Sequence, residues 1–257
     1  MLGLFLKRFR EHEWYPLLDF LSPVFFDIVP AWDMVRILTQ LTRESVQESR
    51  QASFASSLSQ QLPSWGLPLT LAEAKTESRV EPREAPWTQA DVLLRLYFAQ
   101  ILHEDSACLD LRFRSFRKEG EQWIWQPRYF VWTWSPDFLE ALRSVYSGFY
   151  EKKDELFRAG LRELNLLHAE ERFRAHFGGD EQGAHRFSLK DFRTTFHEIF
   201  VSCREHAVRL PPEFLPFGLY LITLYEHLEQ LGGAYDVRSA YSWAQALENG
   251  TKKVPQP

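Results

Sequence analysis

The chain has 257 residues, 45% of them apolar and 25% charged, a balance that excludes a globally disordered polypeptide. A net charge of −5 gives no support to a general nucleic-acid binder, which needs a basic surface. The two cysteines, Cys108 and Cys203, are too few for a disulfide framework and point to a reducing compartment, so the expected location is cytoplasmic.

The first six residues are apolar, but Lys7, Arg8 and Arg10 follow them, the reverse of the order in a secretory signal. Between residues 14 and 33, Pro16, Pro23 and Pro30 interrupt strongly apolar runs, which predicts short helical pieces packed on a core. Residues 34–62 run without proline or glycine, and Met34, Ile37, Leu38, Leu41, Val46, Phe54 and Leu58 form a loose helical stripe. Pro63, Gly66, Pro68, Pro82 and Pro86 mark residues 63–87 as a connector, with two short strands expected near Leu67–Leu71 and Ser78–Val80. This connector suggests a division into residues 1–87 and 88–257.

Thr88 and Asp91 read as a capping box ahead of a helix that ends near His103 and buries Val92, Leu93, Leu96, Tyr97, Ile101 and Leu102. Leu109, Leu111 and Phe113 then alternate with Asp110, Arg112 and Arg114, a turn follows at Lys118-Glu119-Gly120, and Trp123 and Trp125 alternate again. That is a hairpin signature, and the Trp123/Trp125 and Trp132/Trp134 pairs read as its packing. Ser135-Pro136 predicts a serine cap with proline at the first helical position. Helices are expected near 136–150, 152–176, 188–207, 212–231 and 236–248. Ser188 and Asp191 make a second capping box, and Gly178-Gly179 and Gly232-Gly233 mark stops. Aromatic residues reach 15%, which predicts a large, rigid core. No run approaches the roughly 18 apolar residues of a membrane span; the nearest, Phe214 to Tyr225, suits a buried helix.

The common catalytic signatures are absent: no G-x-G-x-x-G, G-x-x-x-x-G-K-[ST], G-x-S-x-G, H-E-x-x-H or paired CxxC occurs. His197 and His206 stand nine apart on one predicted helix, poor spacing for a shared metal. One arrangement stands out. The apolar helix ends in Ile101-Leu102-His103-Glu104-Asp105, and Asp110 follows five residues after Asp105. Helix, polar loop, hairpin and helices is the order of kinase-type catalytic lobes, where an aspartate orients the substrate hydroxyl and a metal ligand follows five residues on. The bland reading of Asp105 is a loop carboxylate bonded to backbone N–H groups.

These residues resemble the catalytic loop of UbiB/AarF-type atypical kinases, a family tied to ubiquinone biosynthesis and lipid metabolism. That loop is close to His-x-Asp-Pro-His-Pro-Gly-Asn. By the resemblance, His103 and Asp105 fall on the family's histidine and catalytic aspartate, and Asp110 on its metal-binding asparagine. Ser106, Ala107, Cys108 and Leu109 replace the Pro-His-Pro-Gly run. Leu161-Arg162-Glu163-Leu164 and Arg209-Leu210-Pro211-Pro212-Glu213 are similar to later family segments, in the same order. The resemblance implies an α+β, mainly α fold: a protein-kinase-like C-lobe with a β-hairpin over 88–257, and a reduced or remnant N-lobe over 1–87.

The departures shape the expected function. The family's ATP-contacting lysine lies before the first matching residue here, and its second metal-binding aspartate should fall near Gln126-Pro127-Arg128, which carries no carboxylate. Phosphoryl transfer rests on positioning and on charge neutralisation by lysine and Mg²⁺. The implied protein is therefore a pseudokinase without a cofactor, regulating or binding another protein such as an active homologous kinase, with a link to quinone or lipid metabolism. Two alternatives stay open. One is a residual Mg-ATP-dependent phosphotransferase or ATPase with Asp105 as base, His103 as orienter and Asp110 as metal ligand. The other is a helical scaffold or a membrane-peripheral lipid binder, suggested by Trp14–Trp32, Trp132 and Trp134, although Asp19, Asp27 and Asp33 would oppose an anionic membrane surface.

Overall fold

Thr88 starts the helix on which the middle of the chain is organised. Its hydroxyl accepts the Asp91 N–H at 3.1 Å, and the Asp91 carboxylate accepts the Thr88 N–H at 3.1 Å, so two donors of the first turn are satisfied reciprocally. In a computed structural model that describes residues 24–44, 48–72, 87–128, 130–177 and 184–248, this helix runs Gln89–His103 and buries ten of its residues. The strand expected at Ser78–Val80, the stop at Gly178-Gly179 and the pieces before residue 24 lie outside the described residues.

The fold is mainly helical, with small sheets. Among the described residues three helices come first: α1 (Phe25–Ile28), α2 (Ala31–Glu44) and α3 (Glu48–Trp65). Strand β1 (Leu69–Leu71) precedes α4 (Gln89–His103). Four short strands follow: β2 (Ser106–Cys108), β3 (Phe116–Glu119), β4 (Gln122–Trp125) and β5 (Val131–Thr133). Then come α5 (Pro136–Tyr150), α6 (Asp154–Glu163), a 3₁₀ turn (Leu167–Ala169), α7 (Glu170–His176), β6 (His185–Arg186), α8 (Leu189–Glu205), α9 (Phe214–Leu231), β7 (Ala234–Tyr235) and α10 (Val237–Glu248).

The expected hairpin is present, one step later than its pattern suggested. Strands β3 and β4 pair antiparallel from Phe116↔Trp125 to Glu119↔Gln122. Gly120, at φ 61°, opens the two-residue turn, the II′ pattern that matches strand twist. The Phe116 and Trp125 rings stack at 5.6 Å across the pair. Strand β1 joins β4 in parallel, giving the order β1-β4-β3. Separately, β2 pairs antiparallel with β5. Residues 109–112 are not a strand: Leu109, Asp110, Leu111 and Arg112 are all buried, so the alternation there does not separate a core face from a solvent face.

The chain divides into two compact units, each built from separate stretches. The first comprises Met1–Gln40, Ser135–Gln182 and Ser188–Tyr225; the second comprises Leu41–Trp134, Gly183–Phe187 and Glu226–Pro257. Residue 87 thus falls within the second unit rather than at a division. The first unit holds an aromatic core in which Phe149, Phe157 and Phe177 meet at 4.9–6.5 Å, with Phe192 stacked on Phe196 at 4.3 Å. Its α5 and α6 cross closely at Gly148 and Gly160. A Cβ on Gly148 would stand 2.2 Å from the Phe157 nitrogen, and one on Gly160 would stand 2.6 Å from the Ala141 carbonyl oxygen. In the second unit α4 lies against α10, with Phe98 edge-on to Tyr241 at 5.6 Å.

The expected helix over 152–176 is broken. Asn165 takes a left-handed φ of 60°. The Leu166 N–H reaches the Leu161 carbonyl and the Asn165 N–H reaches the Arg162 carbonyl, which is a Schellman ending. Lys152 and Ala207 end α5 and α8 in the same way, at φ 59° and 52°. Gly232, at φ 71°, closes α9 where a stop was expected. Pro136 does occupy the first turn of α5, but Ser135 makes no side-chain cap there; its hydroxyl donates to Glu213 at 2.8 Å.

Candidate functional site

The loop from His103 to Ser115 carries every residue singled out for chemistry. It leaves α4, passes through β2 and reaches the hairpin. Gln100, wholly buried in the last turn of α4, accepts the Cys108 N–H at 2.9 Å, and the Leu109 N–H donates to the Phe130 carbonyl at 2.8 Å. These bonds fix the backbone at the middle of the loop.

His103 donates from Nε2 to the Ala244 carbonyl at 2.7 Å. A carbonyl can only accept, so the proton sits on Nε2, and the ring ties the end of α4 to α10. Asp105 is exposed, and its own carbonyl accepts the Trp134 N–H at 2.9 Å.

Asp110 is the opposite case. It is 0% exposed. Its Oδ1 accepts Arg112 Nε at 2.7 Å and the Arg112 backbone N–H at 3.3 Å; its Oδ2 accepts Arg112 Nη2 at 2.8 Å and the Arg128 backbone N–H at 2.8 Å. A carboxylate offers about four lone-pair sites, and four protein donors take them here. Arg112 is only 3% exposed, so the pair is a bidentate buried salt bridge. Trp125 Nε1 donates to the Asp110 carbonyl at 3.0 Å, holding the loop to the hairpin. Asp105 and Asp110 thus differ in setting: the first is an exposed residue and the second is enclosed. Among the described residues no group of three or more His, Cys, Asp or Glu side chains is arranged to hold a metal ion.

Around this pair lies a shell the sequence did not reveal. His227 of α9 is fully buried. Its Nδ1 donates to the Leu111 carbonyl at 2.7 Å, and its Nε2 accepts from Gln89 at 2.8 Å. Phe113 and Phe116 pack on its ring at 5.3 and 5.0 Å. Burial pushes the His227 imidazole down to about 4, against the opposing pull of the Leu111 hydrogen bond and of Asp110, so the ring is neutral at neutral pH. Burial also raises the half-buried Glu226 carboxyl, while Arg112 and Arg114 act the other way. Burial pushes the Cys108 thiol far up, which makes it an inert core group. Arg112 left a faint signal: alternation already placed it on one face with Asp110. His227, more than a hundred residues away, left none.

Comparison with protein-family models and with curated proteins found no match.

Proposed function

We propose that the chain is a catalytically silent, kinase-like protein that works by binding another protein. The observation that carries this reading is the closed Asp110 carboxylate. A general base must reach a substrate hydroxyl and a metal ligand must face its ion. A carboxylate whose lone pairs are filled by Arg112 and the Arg128 N–H does neither.

The order α4, β2, polar loop, hairpin, β5 and helices supports a lobe of the kinase type. It also favours Asp110 over Asp105 as the relic position. Asp110 stands in the loop just before the hairpin, Leu111 follows it, and Ser115 lies five residues on. This spacing is similar to the Asp-Leu-x-x-x-Asn part of a kinase catalytic loop, with a serine where the metal-binding amide would be. The run Gln126-Pro127-Arg128, lacking a carboxylate, supplies Asp110 with a backbone donor instead. Such a lobe offers a folded surface without phosphoryl chemistry.

Thermal unfolding with and without millimolar Mg·ATP tests the chemical half. Nucleotide at a hundred times its Kd would add about 2.7 kcal/mol of stability; no shift is expected, and a saturable rise of that size would overturn the reading. The binding half is tested by recovering the tagged full chain from its source cells. A stoichiometric protein partner is expected, and recovery of the chain alone would count against it.

A further inference from the structure

His168 and His206, distant in sequence, face each other in the first unit. Their ring centroids are 4.8 Å apart with 32° between the planes. His168 belongs to the 3₁₀ turn Leu167–Ala169, and His206 caps the end of α8. His206 Nδ1 lies 2.8 Å from the Ser202 carbonyl. That acceptor fixes the proton on Nδ1 and leaves Nε2 as a bare lone pair in the neutral ring. His168 Nε2 is buried and has no hydrogen-bond partner.

Among the described residues, no carboxylate is among the groups that act on His168. Three helices pack against the turn: α6, α7 and α8. The charged groups that act on His168 are His206 from α8 and Arg172 from α7, and none comes from α6. The carboxylate nearest in sequence, Glu170, is taken by Arg158 and Arg174. Glu198 of α8 stands 3.7 Å from Arg172.

We propose that the His168–His206 ring pair is a proton-operated latch that holds the 167–169 turn against the end of α8 when neutral and releases it in mild acid. Two neutral rings face each other at a tilt without charge repulsion; a proton on His168 adds a cation beside His206 and Arg172. Burial, then His206, then Arg172 all lower the proton affinity of His168. The latch is therefore closed above the ordinary imidazole range and opens as pH falls through it.

The test uses the full chain with labelled imidazoles, followed by NMR as pH is lowered. In His206→Phe, which keeps a ring but loses the charge, the His168 titration midpoint is expected to rise. Amide protection of residues 167–169, corrected for intrinsic exchange, should fall between about pH 7.5 and 5.5 in the native chain, by at most about tenfold. It should stay level in the His168→Phe/His206→Phe double variant, which also shows that the turn still folds. A His168 midpoint unmoved by His206→Phe, or native protection that does not change with pH, would overturn the latch.

Discussion

The crossing of α5 and α6 and the loop around Asp110 are both tightly built, by opposite means. At the crossing, side chains are missing: Gly148 and Gly160 let backbone approach backbone. In the loop, charged side chains are present and enclosed, and each needs the other. The contrast separates two kinds of fragility. A buried ion pair is intolerant of losing one member yet can be replaced as a unit, whereas a glycine contact has no partner to change along with it.

The sharpest test of that contrast is Asp110→Ala. It leaves Arg112 buried without its carboxylate and should cost about 3–5 kcal/mol in denaturant unfolding. The joint Asp110→Leu/Arg112→Met exchange should recover part of that loss, the rest reflecting the acceptor that the Arg112 and Arg128 N–H groups lose. A double variant no better than the single one would break the comparison. Next comes Gly148→Ala, expected to cost roughly 3 kcal/mol because the clash is with Phe157 backbone, which cannot swing away. Trimming the Phe157 side chain should not rescue it, and a rescue would mean that the side chain sets the spacing.

A smaller effect sharpens the polar side. The folded value of His227, about 4, lies below the ordinary imidazole value of about 6.5. The unfolded chain therefore takes up the proton first as pH falls. The contribution of the neutral ring is complete above about 6.5 and is lost progressively down to about 4, by at most about 3 kcal/mol. Urea unfolding across that range should show the slope, and His227→Gln should flatten it. The smallest effect is a gain. Ala207 is exposed and sits at φ 52°, so Ala207→Gly should stabilise by about 0.5–1 kcal/mol through relief of the left-handed backbone, read as a rise in Tm.

Local signals explain what the sequence made legible. The Thr88/Asp91 box lies within four residues, as do the Ser188 cap, whose hydroxyl accepts the Asp191 N–H, and the hairpin glycine at 120. Each therefore shows in a short window. The stop at Asn165 was missed because Leu161, Leu164 and Leu166 keep an apolar stripe running past it. Ser135 reads as a cap but is drawn away by Glu213, seventy-eight residues on. In the candidate site, Asp110 was marked by its type and spacing, but its burial depends on Arg112 folding back and on the Arg128 N–H arriving from beyond the hairpin. Trp132 and Trp134, weighed as membrane-facing, are 6% and 3% exposed and pack on each other at 6.5 Å. Among the described residues no helix is long and apolar enough to cross a membrane.

The hairpin has one more consequence. In the order β1-β4-β3 one of the two outer strands is β3, and Arg117, Lys118 and Glu119 all stand exposed along it. An outer strand with open backbone groups invites a foreign strand to add on and seed a fibril. Three consecutive charged side chains make that rim a poor template, so the ribbon guards its own border against aggregation.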